Sequence, residues 1–138
     1  MRRLLALLAL TALGACENEI DESTRPQNIA GTYQLVSYAG KPLPAPIPSG
    51  ATATAEILAG ELVLTSDLRW TETQSVLLTF PGSAQITQVV SSGTWALIRS
   101  YAYLVFNDTS NGYQFSGTAA GGTIVLETVS GSEMIYRR

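Results

Sequence analysis

The chain has no histidine and a single cysteine among its 138 residues, and Lys41 is its one lysine. Each shortage closes off a class of chemistry. Without histidine there is no His-based catalytic triad and no His-ligated metal site. One cysteine makes neither an internal disulfide nor a thiolate metal cluster. Lys and Arg together number 8 against 11 Asp and Glu, a formal net charge of −3, and that balance speaks against nucleic acid as a partner. Gly-x-Ser-x-Gly, P-loop and dinucleotide fingerprints are absent as well. Glu56 with Glu61, or Glu72 with Glu127, are the conceivable carboxylate pairs, but glutamates scattered along strands are ordinarily solvated. Asp67 and Asp108 fall in turns without the ligand density calcium requires. Asn107-Asp108-Thr109 fits the glycosylation triplet and is read as a turn. The expectation is therefore no enzyme, no metal and no cofactor, in a chain whose length suits one domain.

What is present begins with an address. Arg2 and Arg3 precede a stretch that is apolar from Leu4 to Leu13. That is about half the roughly twenty residues a membrane-spanning helix needs, and its charged and small-residue flanks fit a signal peptide over 1–15. Leu13-Gly14-Ala15-Cys16 resembles the lipobox of bacterial lipoproteins. The resemblance implies that the Cys16 thiol carries a diacylglyceryl group, that the chain is cut before Cys16, and that acyl chains then hold it to a membrane. One chain alone holds a protein only marginally, whereas two or three hold it permanently for practical purposes. In that family an Asp beside the lipidated cysteine favours the inner membrane. Glu17 stands here, so the expected location is the cell envelope, at the outer membrane facing the periplasm. Residues 16–28, ENEIDESTRPQN after the cysteine, are polar and acidic and read as a flexible tether.

From residue 29 to 138 the composition turns to Thr, Val, Ile, Tyr, Leu and Ser, with glycine at short intervals. No window there keeps a helical period. Strands are predicted near 31–39, 53–59, 61–66, 69–80, 85–98, 101–107, 113–119, 123–129 and 133–138. Turns are predicted at Ala59-Gly60, Ser66-Asp67, Pro81-Gly82, Arg99-Ser100, Asp108 to Gly112, Gly121-Gly122 and Gly131-Ser132. Alternation places Trp70, Glu72, Gln74, Val76, Leu78 and Phe80 on one face. Pro42, Pro44, Pro46 and Pro48 forbid helix and a paired strand alike, so KPLPAPIPSG is read as an extended polyproline-like loop over one end of the sheet. It would serve either as a rigid crossover or as a lid or docking segment.

The pattern suits an all-β fold, a small antiparallel up-and-down barrel of eight or nine strands, since closure removes sticky edges. Gly31-Thr32-Tyr33-Gln34-Leu35-Val36-Ser37 resembles the first strand of lipocalin and fatty-acid-binding-protein barrels, with Tyr33 where that family has tryptophan. With Ser92-Gly93-Thr94-Trp95 and the terminal Tyr136-Arg137-Arg138, the chain is similar to bacterial lipocalin-like lipoproteins. The resemblance implies that Arg137 or Arg138 packs over the ring of Tyr33 and closes the barrel.

An eight-stranded barrel either fills its interior or holds one small ligand. Tyr33, Trp70, Phe80, Trp95, Tyr103, Phe106, Tyr113, Phe115 and Tyr136 are the candidate lining, or else plain core. Arg69 and Arg99 would clamp a carboxylate if buried and merely solvate if exposed. Two functions follow: a carrier of a small apolar or amphipathic ligand, or a filled barrel that presents its loops to another envelope protein as an inhibitor, chaperone or assembly subunit. Both require the anchor. Replacing Cys16 with serine is expected to move the protein from the membrane fraction to the soluble one on fractionation, and a variant that still sediments with membranes would refute the lipidation reading.

Overall fold

The β-branched and aromatic residues after position 30 form ten strands in a computed structural model, which describes residues 26–98 and 103–138. They are β1 (Gly31–Tyr38), β2 (Lys41–Pro42), β3 (Ala45–Ile47), β4 (Thr54–Leu64), β5 (Arg69–Phe80), β6 (Ser83–Ile98), β7 (Tyr103–Asp108), β8 (Gln114–Ala120), β9 (Thr123–Glu127) and β10 (Glu133–Arg137). A single turn of helix, α1 (Pro26–Ile29), precedes them. The signal-like segment, Cys16, most of the tether and the expected turn at Arg99-Ser100 lie outside the described residues. The last tether residues do not remain extended, because α1 begins at Pro26 and buries Ile29.

From β4 to β10 each strand pairs antiparallel with the next. β1 then pairs with β10 through Gln34↔Arg137 to Tyr38↔Met134, and with β4 through Gly31↔Leu64 to Gln34↔Glu61. Those two ladders close an eight-stranded antiparallel barrel, with β2 and β3 lying outside the ring. Inward positions alternate along each strand and supply one core: Tyr33 and Leu35, Leu62 and Leu64, Leu104 and Phe106, Ile124 and Leu126, Met134 and Tyr136. Among the described residues, every member of that core lies between Ile29 and Tyr136.

Two expectations fail for local reasons. The predicted turn at Ala59-Gly60 is absent, and β4 runs through it as one strand. The ladder to β5 shifts register between Ile57 and Ala59, which marks a bulge. The extra residue switches the inward parity from Ile57 to Gly60, Leu62 and Leu64, all buried. Glycine at 60 marks a close approach instead of a turn: a Cβ there would stand 3.0 Å from the Leu35 side chain. The proline segment is the second failure. Pro42 pairs with Ser37 and Pro46 with Glu56. Both strands are very short and sit at the edge of the sheet, where a residue without an N–H is tolerated. They fill the gap where β1 and β4 diverge, and Ala45 is completely buried there.

One end of the barrel is shut. The Tyr33 hydroxyl donates to the Ile29 carbonyl at 2.5 Å, and the Arg138 guanidinium lies 5.3 Å from the Tyr33 ring centroid. Arg138 also donates to the carbonyls of Asn28 (2.8 Å) and Ala30 (3.3 Å), which ties the chain's end to its entry into β1. Of the two terminal arginines, both exposed, it is Arg138 whose guanidinium lies over the Tyr33 ring.

Gly93 in β6 is the tightest point of the wall. A Cβ there would fall 1.8 Å from the Asn107 carbonyl oxygen and 2.9 Å from the Trp70 indole nitrogen. Gly93→Ala is therefore expected to destabilise the fold by about 1–3 kcal/mol, as overpacking does, measured by urea denaturation. Gly50→Ala, with nothing within 4 Å of the new methyl, is the control and should stay within about 0.5 kcal/mol.

Candidate functional site

The end opposite Arg138 is built from the upper halves of the strands and the β7–β8 and β9–β10 connections, and it does not fill. A cavity of about 270 Å³ opens there. Its apolar wall comes from Ile57 of β4, Trp70 of β5, Val89 of β6, Phe115 of β8 and Met134 of β10. Trp70 is held by its indole N–H, which donates to the Asn107 carbonyl at 3.3 Å. Its ring meets Phe115 edge-on at 5.4 Å and Phe106 at 5.9 Å, while Phe106 and Phe115 stack 5.0 Å apart. Offset-stacked and edge-to-face pairs of this kind stabilise beyond their burial, so the wall is a fixed surface.

Glu72 is the polar centre of the cavity. It is 8% exposed, and its inward direction follows from the alternation of β5, between buried Trp70 and Val76. Its Oε1 accepts from the Tyr136 hydroxyl and from Gln74 Nε2 (2.5 Å). The second oxygen, Oε2, takes part in neither bond. Burial pushes the Glu72 carboxyl above the ordinary glutamate value; the bonds from Tyr136 and Gln74 pull it back, and the negative charge of Asp108 adds to the rise. Burial and the Glu72 charge together drive the Tyr136 hydroxyl far above its ordinary range, so Tyr136 stays a donor.

Asp108 is the second acid on the cavity lining. Burial alone would raise its carboxyl. The Ser110 hydroxyl and the Ser110 backbone N–H (2.8 Å), with further help from Asn111, outweigh that and hold it below the ordinary aspartate value. These bonds also shape the β7–β8 turn, where Gly112 takes a φ of +74°. The sequence pattern Asp-x-Ser-Asn-Gly thereby sets a charged residue at the cavity rim.

No protein family matches the chain, and no curated protein matches it either. Its site is therefore argued from its own geometry.

Of the aromatics expected to line the interior, the structure brings Trp70, Tyr113 and Phe115 to the cavity. Tyr33, Trp95, Phe106 and Tyr136 are buried core. Phe80 stands on the inward face of β5 but near its tip, above the ring, and is 40% exposed. Tyr103 points outward, because β7 turns Leu104, Phe106 and Asp108 inward. Arg69 is exposed and lies 3.4 Å from Asp67, away from the interior, so it clamps nothing there; Arg99 lies outside the described residues. Glu127 is exposed and Glu72 buried, so they do not face one another across a cleft. Glu61 instead accepts from Gln34 at 2.9 Å on the outside. Sequence reasoning missed Glu72, Gln74, Asp108, Tyr38 and Met134 as site residues. For Glu72 and Gln74 the signal was available, since alternation puts them on the face of Trp70.

The raised Glu72 carboxyl has a consequence for stability. From the ordinary 4.5 up to its raised value, the folded protein holds a proton that the unfolded chain has released, so stability falls as pH rises through that window. Asp108 acts oppositely, losing stability as pH falls below 3.8. Glu72→Gln is expected to flatten the fall above pH 4.5 in urea titrations run at several pH values. Parallel wild-type and variant curves would refute this.

Proposed function

We propose that this protein is a lipid-anchored component of a bacterial cell envelope, held at the outer membrane through Cys16 and facing the periplasm, whose barrel takes up a small apolar or amphipathic molecule. The carrying observation is the half-filled interior: an unfilled, aromatic-walled cavity above a packed core. An apolar recess with a few convergent polar groups is the usual form of a small-molecule site. At roughly 30 Å³ per water-sized group, 270 Å³ accommodates about nine non-hydrogen atoms. Each methylene moved from water to the wall contributes about 0.8 kcal/mol, so even a short alkyl chain gains useful affinity. The role is binding and not catalysis: Glu72 and Asp108 bond to groups of the barrel that hold them in place.

A second reading has its own support. β6 extends well beyond β7, pairing with it only over Gly93–Ile98. Over residues 83–92, no strand among the described residues pairs with one edge of β6, although β5 pairs along the other. Ile86, Val89 and Val90 are exposed there, and β6 contains no charged residue. An uncharged open edge is a template for strand addition by another protein.

Native mass spectrometry of residues 21–138, produced without acyl chains and purified from cell extract, separates the two. A small mass that leaves on denaturation supports the carrier and identifies its ligand. A clean apo mass, unchanged after incubation with envelope lipid extract, refutes the carrier and leaves the β6 edge as the functional surface.

A further inference from the structure

The cavity has a charge preference. Among the described residues two carboxyl groups line it, Glu72 from β5 and Asp108 from β7, and no lysine or arginine does. Lipid carriers that hold a fatty acid need a base where the carboxylate sits. Here Arg69, next to Trp70 in the sequence, is exposed and lies beside Asp67. A carboxylate-headed ligand would place a third acid near two others, with no counter-charge to offset the desolvation.

An amine meets the opposite environment. Glu72 Oε2 accepts neither of the hydrogen bonds that hold its carboxyl in place. Charge-assisted bonds to a carboxylate are about twice as strong as neutral ones. Trp70, Tyr113 and Phe115 surround the same space, and aromatic faces attract cations further. The cost of burying Glu72, visible in its raised carboxyl, is relieved when a cation arrives. Tyr136 and Gln74 keep the carboxyl in place throughout.

We propose that the cavity selects a cationic amphiphile, a protonated amine seated on Glu72 with its hydrocarbon against Ile57, Trp70, Val89 and Phe115. This rests on the ligand-binding reading above and specifies its chemistry. The cavity volume sets the scale of the tail at about eight carbons.

The test compares three ligands of one chain length, 1-octylamine, 1-octanol and octanoate, titrated into residues 21–138 by calorimetry and by tryptophan fluorescence. The amine is expected to bind at least tenfold more tightly than the alcohol, and octanoate more weakly than either. Glu72→Gln should remove the amine's advantage over the alcohol, read as the ratio of the two affinities within the variant. Its circular dichroism spectrum and a cooperative urea transition report that the variant is folded. Equal affinities for amine and alcohol in the wild type, or preference for octanoate, would overturn the charge preference while leaving the cavity as a ligand site. Failure of all three to bind would overturn the ligand-binding reading itself, and this inference with it.

Discussion

β1 shares only four residue pairs with β4, from Gly31↔Leu64 to Gln34↔Glu61, and the form of the whole barrel depends on that short seam. Below it the ring is complete and shut. Above it β1 and β4 part, and each needs another partner for its backbone groups, since a buried N–H or C=O without one is costly. β1 takes β2 and β4 takes β3. A full-length seam would draw the mouth closed. A short one leaves the upper wall splayed, held by a proline-rich insert whose conformational freedom is already small in the unfolded chain. The bulge near Leu58 belongs to the same constraint. It lets one strand serve β3 above and β1 below while keeping apolar side chains inward at both levels.

The distribution of side chains follows that division. The large aromatics at the shut end satisfy their polar atoms against backbone: Tyr33 on Ile29, Trp95 on Thr65. Such residues fill volume without leaving a polar atom stranded. In the splayed half the polar atoms belong to Glu72, Gln74, Tyr136 and Asp108, and they bond to one another or to turn residues. An apolar residue at 72 would avoid the desolvation that Glu72 incurs. Keeping a carboxyl there, with one oxygen left out of its supporting bonds, costs stability and places a polar point among the apolar side chains of the recess.

Much of this architecture was legible in the sequence, for the reason that a barrel wall with one buried face imposes period-two alternation. β1, β5 and β7 to β10 appear within a few residues of where the pattern puts them, and the Gly121-Gly122 pair after β8 and the Asn111-Gly112 turn are where they were expected. The failures share a cause. Gly60, Pro42 and Pro46 are local breakers by propensity, and tertiary pairing overrode all three. Composition also misread Glu72. Glutamate on strands is usually solvated, and that tendency prevailed over the alternation that had already placed it beside Trp70. The choice between Arg137 and Arg138 was not legible at all, because it depends on which way the chain turns after its last paired residue.

The two readings of function meet at one place in the fold. Val89 and Ser91 of β6 line the cavity, and the same stretch of β6 carries the unpaired edge. No described strand pairs with that edge, and its exposed Ile86 and Val90 are apolar. A strand added to that edge would run beside the mouth and change how much of it solvent reaches. Whatever alters the mouth alters the affinity of a molecule inside, and by thermodynamic reciprocity an occupied cavity alters the affinity of the edge by the same factor. The two proposed readings are therefore not independent. Both draw on one splayed wall, which traces back to a seam that ends at Gln34↔Glu61.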